Sequence, residues 1–346
     1  MPMALLRPRG RSPWGAGRRA ARDGRGDRLT GRGLPTRPPR GTVQTPLSDP
    51  RGTPRAGGPR PEPRGPPMIR TVVRSAAALA ASVAVAGAAL TPATAAQPSY
   101  DVVNLGDSFS AGIGAGYPAP AEDVPGCYQG TGTSAAEKLG STGRLDLLLD
   151  ASCSGATTTQ IAAIAQYPTV DAALDEAELV TLTLGGNDVG WTQVLLACST
   201  LGDPALCDAL LAQVPARIAA AAASAGETIR LIDANTDGTI VVLGYPHLFD
   251  GGADTAFLSA ERIAQLNAAT DALNAALRAA AEANGAIFVD VTDRFAGHGA
   301  DSTDPWIYFN PANLQDPNNL HPNQLGYLYG YYPALRSALS QGQLAR

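Results

Sequence analysis

The stretch "YDVVNLGDSFSAG", Tyr100 to Gly112, decides how the rest of the chain is read. An apolar, β-branched run stops at Gly106, Asp107 and Ser108, and a second glycine follows at Gly112. Such a run is how a strand buried on both faces of a parallel sheet looks, and ligand sites in those sheets lie beyond the carboxyl ends of the strands. A serine there either belongs to a turn that needs small residues or is a nucleophile at the mouth of a site.

Four more runs of the same kind follow: "LDLLL" (145–149), "LVTLTL" (179–184), "TIVVLG" (239–244) and "AIFVDV" (286–291). They alternate with longer Ala/Leu-rich segments, which predicts an α/β fold with a five-stranded parallel sheet covered by helices on both faces. Ile263, Leu266, Leu273 and Leu277 recur at helical spacing within 258–285, with Gly285 as the stop. The segment 322–340 reads as a closing helix. Unusual polar stretches follow four of the strands: "GDSFSAG", "ASCSGATT", "GGNDVG" and "GYPHLF".

Composition divides the 346 residues into three zones. Residues 1–67 hold 15 of the 26 basic residues, all Arg, against four acidic ones, and are packed with Gly and Pro. Such a segment buries too little apolar surface to fold. From Met68, Arg70 and Arg74 precede the 16-residue apolar run Ser75–Leu90 and then "TPATAAQ". That order is the layout of a secretory signal peptide over 68–96, cleaved after Ala95 or Ala96. The run is shorter than the roughly 20 residues of a membrane span, so no stable membrane anchor is expected. A signal peptide is read at the N-terminus, so Met68 is the expected start and 1–67 an upstream extension. An arginine-rich arm for nucleic acid is the alternative, at odds with export.

The remaining chain, 97–346, carries 9 basic and 27 acidic residues, a net charge of −18. A domain this acidic repels nucleic acid and anionic surfaces at long range, and about 250 residues suit one domain. The four cysteines, Cys127, Cys153, Cys198 and Cys207, all lie here, and an exported chain with an even count reads as disulfide-bonded. Of three pairings, Cys127 with Cys153 and Cys198 with Cys207 is favoured: the second closes a short loop, and the first joins segments that follow neighbouring strands. No metal-binding spacing is present, and three histidines leave little from which to build a zinc site, so neither metal nor cofactor is expected.

A serine nucleophile needs a base within reach and donors aimed at the developing oxyanion. His321, in "NNLHPN" before the closing helix, is the candidate base; His247 and His298 read equally well as surface or packing residues. The ordered set "GDS", "SG", "GGND" and "HPN", spanning Gly106 to Asn323, resembles the SGNH or GDSL family of ester hydrolases. The resemblance implies a three-layer α/β/α sandwich, Ser108 as nucleophile, His321 as base, and an oxyanion hole from the Ser108 N–H, the Gly155 N–H and the Asn187 side chain. The cysteine spacings and the "GYP" after the fourth strand are similar to its secreted actinobacterial lipase and esterase branch. The G-x-S-x-G elbow of α/β-hydrolases is absent.

One departure stands out. Many members of that family carry Asp three residues before the histidine, where this chain has Asn318. An amide there holds the wrong imidazole tautomer, which in a serine-protease triad costs about 10⁴ in rate. A main-chain carbonyl, that of Asn319 or one near Trp306, is the expected substitute; Asp316 or Asp304 folding back is the rival. Asp107 and Asp188 read as holders of loop geometry. Trp191 reads as core or as a pocket wall, and the tyrosines of "YLYGYY" as packing or as a lipid-facing patch.

The expectation is a secreted, extracellular and monomeric serine ester hydrolase of lipase, esterase or phospholipase A type, acting on an ester or lipid substrate. The alternatives are a carbohydrate deacetylase on the same fold and a non-catalytic secreted binding module.

Overall fold

Strand β1 (Tyr100–Gly106) is an interior strand of the sheet, with apolar side chains on both faces. Val103 and Leu105 point into one core and Val102 into the other, all three fully buried. The same alternation runs through β3 (Leu179–Thr183) and β4 (Thr239–Leu243), in which every residue is buried. Period-two side chains that are apolar on both sides force a helical layer onto each face. In the computed structural model, which describes residues 99–339, this gives the three-layer α/β/α arrangement. The expected extension and signal peptide, residues 1–96, lie outside the described residues.

With β2 (Leu145–Asp150) and β5 (Ile287–Val289), the sheet has the order β2-β1-β3-β4-β5, all strands parallel. One layer is built from α2 (Thr158–Ala165), α3 (Pro168–Glu176), α7 (Val214–Asp233) and α8 (Ala260–Ala283). Between β3 and α7 the chain forms α4 (Gly186–Val189), α5 (Trp191–Cys198) and α6 (Pro204–Leu211). The other layer is built from α1 (Ala135–Gly140), the turn α9 (Thr292–Phe295), a π-helical turn Gly326–Tyr331 and α10 (Tyr332–Leu339). The chain leaves β1 toward β2 on one side and later returns to β3 on the other. The switch point therefore lies between the carboxyl ends of β1 and β3, where the crevice of such sheets forms.

The helix expected over 258–285 is α8, capped by the Ser259 hydroxyl, which accepts from Arg262 N–H, and ended at Gly285 with φ +76°. Two elements differ from the sequence expectation. β5 is shorter than 286–291 because the Asp290 carboxylate accepts from Thr292 N–H and turns the chain into α9. The closing helix does not begin at Pro322, since His321–Pro322 pairs antiparallel with Ile307–Tyr308. Asn323 then caps the Leu325 and Gly326 N–H groups to start the helical tail. Among the described residues no single helix is long and apolar enough to cross a membrane.

The cystines are Cys127–Cys153 and Cys198–Cys207. The first ties the loop after β1 to the loop after β2 across a separation of 26 residues, and the second joins α5 to α6 across 9. Closing the longer loop limits the unfolded chain more. A Cys127→Ser/Cys153→Ser variant is expected to lose about 3 kcal/mol in urea unfolding, and the equivalent Cys198/Cys207 variant somewhat less. Unchanged midpoints would contradict a stabilising role for either bridge.

Candidate active site

The site grows from the turn that ends β1. Gly106 has φ +114°, and a Cβ there would meet the Thr183 carbonyl oxygen at 2.5 Å, so only glycine lets β1 pass so close to β3. The next residue, Asp107, is buried and accepts three hydrogen bonds: from its own turn through Phe109 N–H at 3.0 Å, from the Thr183 hydroxyl at 2.6 Å, and from the Tyr245 hydroxyl. Burial raises its pKa, and these donors oppose the rise. Tyr245 in turn accepts from Gly186 N–H at 3.0 Å, so one carboxyl links the ends of β1, β3 and β4. Asp107 thus holds loop geometry, as its sequence context suggested. The bracing by Thr183 and Tyr245 was not legible: Thr183 reads as a strand residue, and the "GYP" that holds Tyr245 does not show what its hydroxyl reaches.

Ser108 sits on this rigid turn. Its Oγ lies 2.8 Å from Nε2 of His321, and Nδ1 of that ring lies 2.9 Å from the Asn319 carbonyl oxygen. A carbonyl only accepts, so Nδ1 carries the proton and Nε2 is left with a lone pair facing the Ser108 hydroxyl. Of the two main-chain groups considered from sequence, the Asn319 carbonyl fills the role. The carbonyl of Trp306 accepts from Asn323 N–H instead.

The carboxylates weighed as rivals are occupied elsewhere. Asp316 accepts from the Tyr308 hydroxyl and from Asn318 N–H, and the Asp304 carboxylate lies 3.5 Å from Nδ1 of His298. The Asn318 side-chain oxygen accepts from Gly114 N–H at 3.2 Å, which ties the histidine loop to the serine loop. Leu320 holds φ +64°, a conformation unusual for a branched side chain, with its N–H on the Tyr308 carbonyl at 2.7 Å. This kink directly precedes His321. Phe109 packs on the imidazole with ring centroids 5.2 Å apart.

Asn187 opens α4 beyond β3. One hydrogen of its side-chain amide goes to the Ala156 carbonyl at 2.9 Å, which leaves the second for another acceptor. Gly155 precedes Ala156, is exposed and has φ +80°. Among the described residues neither the Gly155 N–H nor the Ser108 N–H donates to the protein. Ser108, Asn187 and His321 line one cavity of about 250 Å³, whereas Gly155 lines a neighbouring groove along the Cys127–Cys153 bridge. The cavity walls are mostly apolar and include Leu195, Leu196, Phe257 and Phe309. Trp191 both packs against the core and lines the cavity, so its two readings coincide.

The remaining candidates fall outside the cavity. His247 pairs with Asp271 at 2.8 Å, and His298 stacks on Trp306 at 3.7 Å. Asp188 accepts from Thr158 N–H and the Thr158 hydroxyl at the start of α2. Tyr327 and Tyr331 are buried with their hydroxyls on the carbonyls of Ile113 and Gly244, so these two form no lipid-facing patch. Among the described residues no group of His, Cys, Asp and Glu is placed to hold a metal ion.

The profile of the GDSL-like lipase/acylhydrolase family matches residues 105–328. The chain belongs to that family. It is 34% identical to a lipase of Streptomyces rimosus over 272 residues, 78% of this chain and 98% of that one. Lipase 1 of Streptomyces coelicolor is 31% identical over 270 residues, 75% of this chain and 96% of its own. In structure, the chain resembles the extracellular lipase of Streptomyces rimosus with a TM-score of 0.61 and 32% identity, covering 69% of this chain and 100% of that one. Phospholipase A1 of Streptomyces albidoflavus NA297 also gives a TM-score of 0.61, at 27% identity, covering 69% and 99% of the two chains. The protein is a carboxylic ester hydrolase of the lipase and esterase class.

Burial pushes the His321 pKa down to about 4, against the opposing pull of the Asn319 and Asn318 carbonyls. The ring edge still reaches the cavity, so the midpoint is expected below 6.5 and toward 4 in an NMR titration of the ring. With the folded value below the unfolded one, the unfolded chain binds the extra proton between those limits. The contribution to stability is therefore full above about 6.5 and lost as the pH falls toward 4. A midpoint at or above about 6.5 would contradict this account of the site.

Proposed function

We propose that this hydrolase cleaves lipid esters through a covalent acyl-enzyme on Ser108. The observation that carries the reading is the hydrogen-bonded series Ser108, His321 and Asn319 carbonyl at the wall of an apolar cavity. Neutral His321 accepts the Ser108 proton at Nε2 as Oγ attacks the ester carbonyl. The Ser108 N–H, the Gly155 N–H and the free hydrogen of the Asn187 amide receive the charge on the tetrahedral oxygen. The imidazolium then passes its proton to the leaving alcohol. Water, activated by the same imidazole, clears the acyl-enzyme by the reverse sequence. The Asn319 carbonyl fixes the tautomer and accepts from Nδ1 throughout, without contributing a full charge.

The apolar walls favour an acyl chain longer than acetate, which speaks for a lipid ester over an acetylated sugar. The order of Arg70 and Arg74, the apolar run and the small-residue segment supports export of the part from about Gln97. Relatives described as lipases and phospholipase A1 support the substrate class.

Hydrolysis of p-nitrophenyl esters from acetate to palmitate tests the reading. Ser108→Ala and His321→Ala are each expected to abolish turnover above background, and Asn187→Ala to lower it by about 10²–10³. Asn318→Asp is expected to leave kcat/KM within about tenfold, because the existing carbonyl already sets the tautomer. Full activity in Ser108→Ala would refute the mechanism, and a sharp optimum at acetate would favour the deacetylase.

A further inference from the structure

Helices α5 and α6 form a short hairpin at the rim of the cavity, closed by Cys198–Cys207. It is unusual in what it exposes. Within α6, "PALCDALL", Cys207 is the single buried residue, while Leu206 is 51% exposed. Leu201 in the connecting turn is 76% exposed, and Leu196 on α5 is 43% exposed. Leu196 is also a wall of the active-site cavity, so the exposed leucines continue the cavity lining outward onto the surface. The turn is held at this place, because Thr200 N–H and its hydroxyl donate to the carbonyls of Phe257 and Ala256, and Phe257 also lines the cavity. Asp208 fixes α6 to α8 through Arg262 at 2.7 Å. A rigid, disulfide-closed element keeps large apolar side chains in water beside an apolar cavity mouth.

We propose that this hairpin is the surface by which the enzyme docks on aggregated ester lipid, with Leu201 and Leu206 entering the lipid layer so that an acyl chain passes along Leu196 into the cavity. The occupant follows from continuity and charge. A surface that merges with the acyl-accepting cavity is met first by the aggregate that supplies the acyl chain. The hairpin's ionisable groups are Asp203 and Asp208, with no cation in its own sequence, which favours a zwitterionic or neutral lipid surface over an anionic one. Exposed leucines at a cavity rim have little else to gain in water, since each recovers burial energy only by leaving it. The inference rests on the lipid-ester reading above and adds how substrate is presented.

The test uses a Leu201→Ser/Leu206→Ser double variant of the chain from Gln97, two positions outside the cavity lining. Binding is read by co-sedimentation with vesicles of ether-linked phosphatidylcholine, which the enzyme does not hydrolyse. Activity is read on p-nitrophenyl butyrate below its solubility limit and on an emulsified long-chain ester. The variant is expected to bind vesicles about 10- to 100-fold more weakly and to lose a comparable factor on the emulsion. Its kcat/KM on dissolved butyrate should equal the wild type, which also shows that it is folded. Vesicles containing phosphatidylglycerol should bind the wild type less well. Equal vesicle binding by variant and wild type would overturn the proposal, as would a wild-type dimer that the variant splits, because the leucines would then cover each other. A wild type that hydrolyses neither ester would instead defeat the lipid-ester mechanism itself.

Discussion

The structure depends on a small set of buried hydrogen bonds that lock the turn after β1 to the end of β3. Thr183 donates to Asp107, its hydroxyl accepts from Ser110 N–H, and its own N–H donates to the Ser110 hydroxyl. Within the same two strands, Asn104 accepts from the Thr181 hydroxyl and donates to the Ser110 carbonyl and to Asp150 on β2. These groups lie in an otherwise apolar interior, where each unmet donor or acceptor would cost about 1–3 kcal/mol. The turn therefore has one arrangement that satisfies all of them, and Ser108 has one position.

That rigidity matters because the partners of Ser108 arrive from far along the chain. His321 lies 213 residues away, on a loop that no strand of the main sheet supports. It is aligned instead by local devices: the pairing of Tyr308 with His321, the left-handed Leu320, and the bond from Gly114 N–H to Asn318. The switch point between β1 and β3 supplies the place, and these contacts bring the His321 ring to it. A site assembled in this way tolerates change in the helices on the sheet faces far better than in Gly106, Thr183 or Asn318, which decide where two loops meet.

Much of this was legible in the sequence, for physical reasons. Strands buried on both faces leave unbroken apolar runs, so all five strands of the sheet were found, and the end of "YDVVNL" located Ser108. His321 could be singled out because histidine is scarce, and the cystines followed from which loops neighbour in such a sheet. What escaped was set by tertiary contact. The shortening of β5 depends on an Asp290 carboxylate folding back on Thr292, and the delayed start of the last helix on the pairing of His321–Pro322 with Ile307–Tyr308. The choice of Asn319 among several carbonyls turned on a backbone kink at Leu320. Neither propensity nor spacing carries that information.

The amide at position 318 acts on the loops and leaves the imidazole to the backbone. Its oxygen accepts from Gly114 N–H and so joins the histidine loop to the serine loop. The neutral carbonyl of Asn319 meets Nδ1 of His321 instead. It selects the tautomer as well as a carboxylate would, but it does little to offset the desolvation that pulls the imidazole pKa down. The ring that faces Ser108 therefore stays unprotonated in mildly acid surroundings and holds a proton more weakly than an imidazole beside a full acid partner.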